Sequence, residues 1–117
     1  MKNNVGDKAR LHHIFDAILE IENYTNNKSD DDFFSNSMLQ SACVRQLEII
    51  GEAASKVSDK IKSKSANIKW REITGLRNIL IHEYFGVDLD IVLEIIQIDI
   101  PQFKIQIQAL LNELSQS

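Results

Sequence analysis

The stretch Asp88-Leu-Asp-Ile-Val-Leu-Glu-Ile-Ile-Gln-Ile-Asp-Ile-Pro-Gln-Phe-Lys-Ile-Gln-Ile-Gln-Ala-Leu-Leu-Asn-Glu-Leu114 decides the fold. Leu89, Val92, Leu93, Ile96, Ile100, Phe103, Ile107, Leu110, Leu111 and Leu114 recur at three- and four-residue steps, the spacing of one helical face. Asp88 has the short acceptor side chain that suits an N-cap. Pro101 lacks an N–H and crowds the preceding turn, so the helix must kink or split near Gln97 to Ile100. A second apolar stripe, Ile91, Ile95, Ile98 and Ile105, lies off the first. A helix apolar on two sides is wider than a four-helix core needs, and the extra face is a candidate dimer interface.

The same periodicity runs back through the chain. A helix over about Trp70 to Tyr84 has Gly86 as its natural stop. A longer one begins near Ser35 or Asn36 and continues to about Val57 or beyond, with Cys43, Leu47, Ile50, Ala54, Val57 and Ile61 on one face. Gly51 within it costs about 1 kcal/mol relative to alanine, and close approach of another helix beside Ala53, Ala54 and Ser55 is the expected compensation. The first helix covers about Asp7 to Asn26, with Leu11, Ile14, Phe15 and Ile18 inward. Asn26 to Asp32 reads as a polar break with Phe33 and Phe34 tucked beneath it, and Ser63 to Asn67 as a loop. The class is all-α, a single domain over residues 1–117.

The bulk properties narrow the function. Cys43 is the single cysteine, so there is no internal disulfide, and its neighbours Ala42 and Val44 suggest a packed thiol. No Cys/His spacing supports a zinc site. There is no apolar leader and no run long enough to span a bilayer, which points to a cytoplasmic protein. The net charge of −4 argues mildly against a general nucleic-acid binder. Its distribution is uneven: Lys56, Lys60, Lys62, Lys64, Lys69, Arg71 and Arg77 face only Asp59 and Glu72 in that window. This basic region could engage phosphates, or it could be a solvated helix end and loop.

The residues with chemical potential lie in Trp70-Arg-Glu-Ile-Thr-Gly-Leu-Arg-Asn-Ile-Leu-Ile-His-Glu-Tyr-Phe-Gly-Val-Asp88. Arg77 and Tyr84 share a helical face, while Asn78 and His82 share a neighbouring one. Arg77 and His82 stand roughly 140° apart on an ideal helix, so spacing alone does not bring them together. Arginine's length, a loosened last turn or a second subunit would be needed. The residue types suit metal-free RNA cleavage, in which histidine serves as acid or base near neutrality. Arginine offers a permanently charged fork for phosphate oxygens, and Asn78 adds a neutral donor. A helix C-terminus favours the protonated form of His82. The structural alternatives are that His82 is an ordinary helix-end residue, that Arg77 pairs with Glu48, Glu52 or Glu83, and that Tyr84 is a half-buried aromatic. Arg45, Glu48 and Glu52 read better as an ion-paired face than as a catalytic trio. Asp30 to Asp32 reads as a solvated run, and His12 and His13 carry no assigned role.

Arg77-Asn78-x-x-x-His82-x-Tyr84 resembles the R-x4-H-x-Y motif of HepT-like toxins in the HEPN superfamily. Arg45-Gln-Leu-Glu-Ile-Ile-Gly-Glu-Ala53 resembles that family's second-helix signature. Trp70 to Arg77 and Tyr84 to Asp88 resemble the segments flanking the motif, so the likeness covers about Arg10 to Leu114. The resemblance implies an antiparallel four- to five-helix bundle of HEPN type, homodimeric, with motif residues of both subunits facing one cleft. It implies a metal-independent endoribonuclease toxin with RNA as substrate, and the reading takes Arg77 and His82 as catalytic residues supported by Asn78; no cofactor, DNA or membrane partner is expected. It further implies a cognate minimal nucleotidyltransferase antitoxin that transfers AMP to Tyr84. A non-catalytic nucleotide- or partner-binding module and a structural helical dimer are the alternatives.

Overall fold

The computed structural model describes residues 2–82 and 88–116, and all of them that form regular elements are helical. The first helix, α1 (Lys2–Thr25), starts earlier than the apolar periodicity alone indicates. Its inward face is Leu11, Ile14, Ala17, Ile18 and Ile21, all buried. It ends at a turn in which Asn27 takes the left-handed conformation (φ 61°), a conformation that asparagine tolerates better than most residues.

The expected polar break contains a short helix, α2 (Asp30–Ser35). Ser29 caps it reciprocally: its hydroxyl accepts from the Asp32 N–H at 3.1 Å, and its own N–H donates to the Asp32 carboxylate at 2.9 Å. The Ser29 N–H bonds, followed by the hydroxyl, hold the Asp32 carboxyl below the usual carboxylate range. The aspartate run is thus a helix start as well as a solvated surface. Phe33 is buried as expected, but Phe34 is 40% exposed. Consecutive helical side chains point about 100° apart, and here Phe33 takes the inward direction while Phe34 turns outward.

The long second stretch divides in two. The main part, α3 (Ser37–Ser55), is capped by Asn36 and buries Leu39, Cys43, Leu47, Ile50, Gly51, Ala53 and Ala54. The remainder, α4 (Asp59–Lys64), starts anew at Ser58 and includes the beginning of the expected loop. The break is held from a distance. Ser58 donates its N–H and its hydroxyl to the two carboxylate oxygens of Asp7, at 2.8 and 2.6 Å. The Ser58 hydroxyl also accepts from the Ile61 N–H at 3.3 Å, which starts α4. This contact places the start of α1 beside the end of α3. Tyr24, near the end of α1, meets Gln46 of α3, so the two helices run antiparallel.

Helix α5 (Trp70–His82) packs against α3, and α1 packs against α3 and the last helix. Beyond the undescribed residues, α6 (Leu89–Glu94) is capped by Asp88, and α7 (Ile100–Gln116) completes the rod. Between them Ile95–Asp99 forms a π-turn, in which the Ile100 N–H reaches back to the Ile95 carbonyl. The regular α ladder is thus interrupted just before Pro101, where the wider turn accommodates the ladder fault near the expected Gln97 to Ile100. Ile95 and Ile96, at the start of that turn, are both buried. Ile95 thus belongs to the core, while Ile91, Ile98 and Ile105 stay 46%, 62% and 71% exposed. The architecture is the all-α bundle that the periodicity implies. Among the described residues four longer rods, α1, α3, α5 and the α6–α7 stretch, share one core, to which the short helices α2 and α4 contribute Phe33 and Ile61.

One aromatic contact fixes where α5 begins. The Trp70 indole N–H donates to the Ser65 hydroxyl at 3.0 Å, and that hydroxyl donates to the Ile61 carbonyl at 2.6 Å. The Trp70 ring meets Phe103 of α7 edge to face, with centroids 6.0 Å apart. Trp70→Ala should lower the unfolding free energy by about 3–5 kcal/mol. Trp70→Phe should cost about 1–2 kcal/mol, the size of a lost buried hydrogen bond. Urea denaturation monitored by circular dichroism measures both; an alanine variant within error of the parent would show that Trp70 is not an anchor.

Candidate functional site

Helix α5 carries Arg77, Asn78 and His82 on one continuous backbone. Leu76 and Leu80 are buried and Ile73 packs against the core, so these residues fix the rotation of the helix. Arg71, Glu72 and Asn78 are exposed on its other side. Asn78 is therefore open to a ligand, as a neutral phosphate donor must be. The side chains of Arg77 and His82, and the whole of Glu83, Tyr84 and Gly86, lie outside the described residues. The convergence of Arg77 with His82, the placement of Tyr84 and the expected helix stop at Gly86 lie there too.

Gly75 stands in the middle of α5, where glycine costs about 1 kcal/mol relative to alanine. A Cβ placed on it would meet no heavy atom within 4 Å. Packing within the chain therefore does not require a glycine there. Gly51 differs, being buried in α3, the helix on which both α1 and α5 rest.

Two polar grooves open on the surface, the second of them at the start of the site helix. One, of about 370 Å³, runs between α1 and α3 and is lined by Arg10, His13, Arg45, Glu48, Glu52 and Lys56 among others. Lys56 pairs with Glu52 at 3.4 Å, so this face is ion-paired in part, as the i, i+4 spacing suggests. His13 borders this groove, a position that sequence reading did not distinguish from ordinary helix surface. The other groove, of about 550 Å³, lies where α4 meets α5 and is lined by residues that include Asp59, Lys62, Lys69, Trp70 and Arg71. The Lys62 ammonium sits over the Trp70 ring, 5.9 Å from its centroid, an attraction between the cation and the negative ring face. Lys60, Lys64, Lys69 and Arg71 are exposed around it. A third, smaller and more apolar groove of about 200 Å³ separates α5 from the π-turn and α7, with Ile73, Leu76, Ile100 and Phe103 in its wall. Among the described residues no cluster of three or more His, Cys, Asp or Glu could hold a metal ion. No described helix is long and apolar enough to cross a membrane.

The family described as Ribonuclease HepT-like matches residues 14–110. Among curated proteins, a "Gamma-glutamylcyclotransferase and putative RNase" of Methanocaldococcus jannaschii is 42% identical over 94% of this chain, which spans only 50% of that protein's length. A "Putative RNase" of the same organism is 37% identical, with 86% of this chain and 93% of that protein aligned. A "Probable ribonuclease HepT" of Thermococcus cleftensis is 39% identical, covering 83% of this chain and 88% of its own length. No solved structure gives a significant match.

Cys43 stands apart from all three grooves' linings. It is fully buried, and burial pushes its thiol up to about 11. A pKa raised on folding means that the thiol stabilises the fold below its unfolded value near 9. That contribution is lost as pH rises from there through the folded value. Iodoacetamide at pH 8 should leave the native protein unlabelled and label it stoichiometrically in urea, as read by intact mass; rapid native labelling would expose a reactive thiol.

Proposed function

We propose that this chain, which belongs to the HepT-like ribonuclease family, is a metal-independent endoribonuclease whose active site is built on α5. The observation that carries the reading is the family match across residues 14–110 with Arg77, Asn78 and His82 aligned on a single helix. In the proposed reaction a 2′-hydroxyl attacks the adjacent phosphorus and the bond to the 5′-oxygen breaks. One proton leaves the nucleophile and one reaches the departing oxygen, leaving a 2′,3′-cyclic phosphate. His82 serves as acid or base, Arg77 neutralises the pentavalent phosphorane, and Asn78 donates to a phosphate oxygen.

The same reading makes the protein a single-domain, cytoplasmic toxin, acting as a homodimer and silenced by a nucleotidyltransferase antitoxin. The exposed Ile91, Ile98 and Ile105 supply an apolar strip on the outer side of the last rod, which supports self-association. A second subunit would also answer the angular separation of Arg77 and His82 on one ideal helix. For silencing, the Tyr84 hydroxyl would attack the α-phosphate of ATP, releasing pyrophosphate and a proton and leaving AMP on the ring. The new phosphodiester would then compete for the cations that bind the RNA backbone.

Three outcomes follow from this proposal. RNA cleavage should persist in EDTA and yield 2′,3′-cyclic ends, and His82→Ala should slow it by roughly 10²- to 10⁴-fold. Activity abolished by chelator and restored by magnesium would overturn the mechanism. Light scattering should give about twice the 13.4 kDa chain mass, and Ile98→Asp should shift it toward one; an unchanged mass would place the interface elsewhere. Incubation with the partner enzyme and ATP should add AMP to the parent and not to Tyr84→Phe, as read by intact mass. Equal labelling of both would assign the modification to another residue, such as Tyr24.

A further inference from the structure

We infer that the exposed face of α5, together with the basic ledge where α4 meets it, is a track for the backbone of a single RNA strand. This rests on the ribonuclease reading for its substrate class and extends it to residues outside the motif. Arg71, Gly75 and Asn78 follow one another at steps of four and three residues, so they share one side of the helix, and His82 comes four residues later. Arg71 and Asn78 are exposed, and nothing stands within 4 Å of a Cβ placed on Gly75. A gap between two donors on one face lets a sugar-phosphate backbone approach the helix closely. The strand would meet Arg71 about 9 Å from the level of Arg77, at 1.5 Å rise per residue. That is two to three nucleotides at roughly 3.4 Å each along a stacked strand.

The ledge supplies the charge. Lys62, Lys69 and Arg71 line an open groove of about 550 Å³ against two acids, Asp59 and Glu72. Lys60 and Lys64 add exposed charge on α4. This concentration stands in a chain of net charge −4, so phosphates are drawn to this end and repelled by much of the remaining surface. Lys62 is held over the Trp70 ring, and Trp70 is fixed to Ser65 and Phe103. The ledge is therefore oriented relative to α5 before any ligand arrives. A cationic groove beside an open helix face fits a flexible polyanion better than an apolar protein partner.

The test is fluorescence anisotropy of a fluorescein-labelled oligouridylate with the full chain, across a salt series, alongside cleavage of the same RNA. The triple variant Lys62→Gln/Lys69→Gln/Arg71→Gln should weaken binding at least about tenfold near physiological salt. It should also flatten the log–log salt slope by about 2, the release expected from three phosphate contacts on a single strand. Gly75→Glu should weaken binding similarly while keeping the parent's circular dichroism and mass in light scattering. Unchanged affinity and slope in the triple variant would overturn the track, even with cleavage intact in the parent. A parent that binds with the expected slope change but cuts nothing would uphold the track and sink the ribonuclease reading. Loss of RNA binding by Gly75→Glu together with halving of its mass would make this face a subunit contact and overturn the proposal.

Discussion

The position of α5 depends on Trp70. Its indole joins three parts of the chain that are distant in sequence or separated by a turn: the end of α4 through Ser65, the body of α7 through Phe103, and the first residue of α5 itself. An indole can do this because one edge donates a hydrogen bond while the remaining ring buries a large apolar area. The Ser65 hydroxyl is satisfied in both directions, accepting from Trp70 and donating to Ile61. No polar atom is stranded at this junction. Once the start of α5 is fixed, Ile73, Leu76 and Leu80 set its rotation, and the exposed side follows from the helical repeat.

The remaining framework serves the same end by different means. Small residues on α3, Gly51, Ala53 and Ala54, are buried in the helix between α1 and α5. Asp7 stitches the start of α1 to the break between α3 and α4, so α4 and its lysines are held where α5 begins. The π-turn at Ile95–Asp99, just before Pro101, joins α6 to α7 in one continuous helical stretch from Leu89 to Gln116. The rod keeps its core face while leaving three isoleucines outside. Local helix rules, tertiary hydrogen bonds and one proline therefore determine separate surfaces: a basic end, a motif helix and an apolar outer strip.

Helical class was legible because the apolar spacing is long and consistent, as in Leu89 to Leu114. The interruptions were less legible. Ile61 continues the apolar face of α3 in register, so nothing in the periodicity marks the break at Ser58. That break depends on Asp7, fifty-one residues away, which no local pattern can reveal. The aspartates at 30–32 look like a solvated run until Ser29 and Asp32 are recognised as a reciprocal cap. Ile95 shares the 3.6-residue spacing of the outer stripe with Ile91 and Ile98, so the repeat alone does not mark it as core. For the site, residue type and resemblance single out Arg77, Asn78 and His82 as candidates, and all three lie on α5. The orientation of Lys62 on Trp70 was not legible, because it depends on a contact across the α4–α5 turn.

In the proposed reaction RNA's own 2′-hydroxyl attacks the adjacent phosphorus. Its most direct test compares cleavage of an oligoribonucleotide with cleavage of the same sequence carrying 2′-O-methyl groups throughout, under conditions where both are bound. The unmodified strand should be cut and the methylated strand should remain intact at equal occupancy. Cutting of the methylated strand at a comparable rate, or failure of the folded protein to cut either strand, would contradict it.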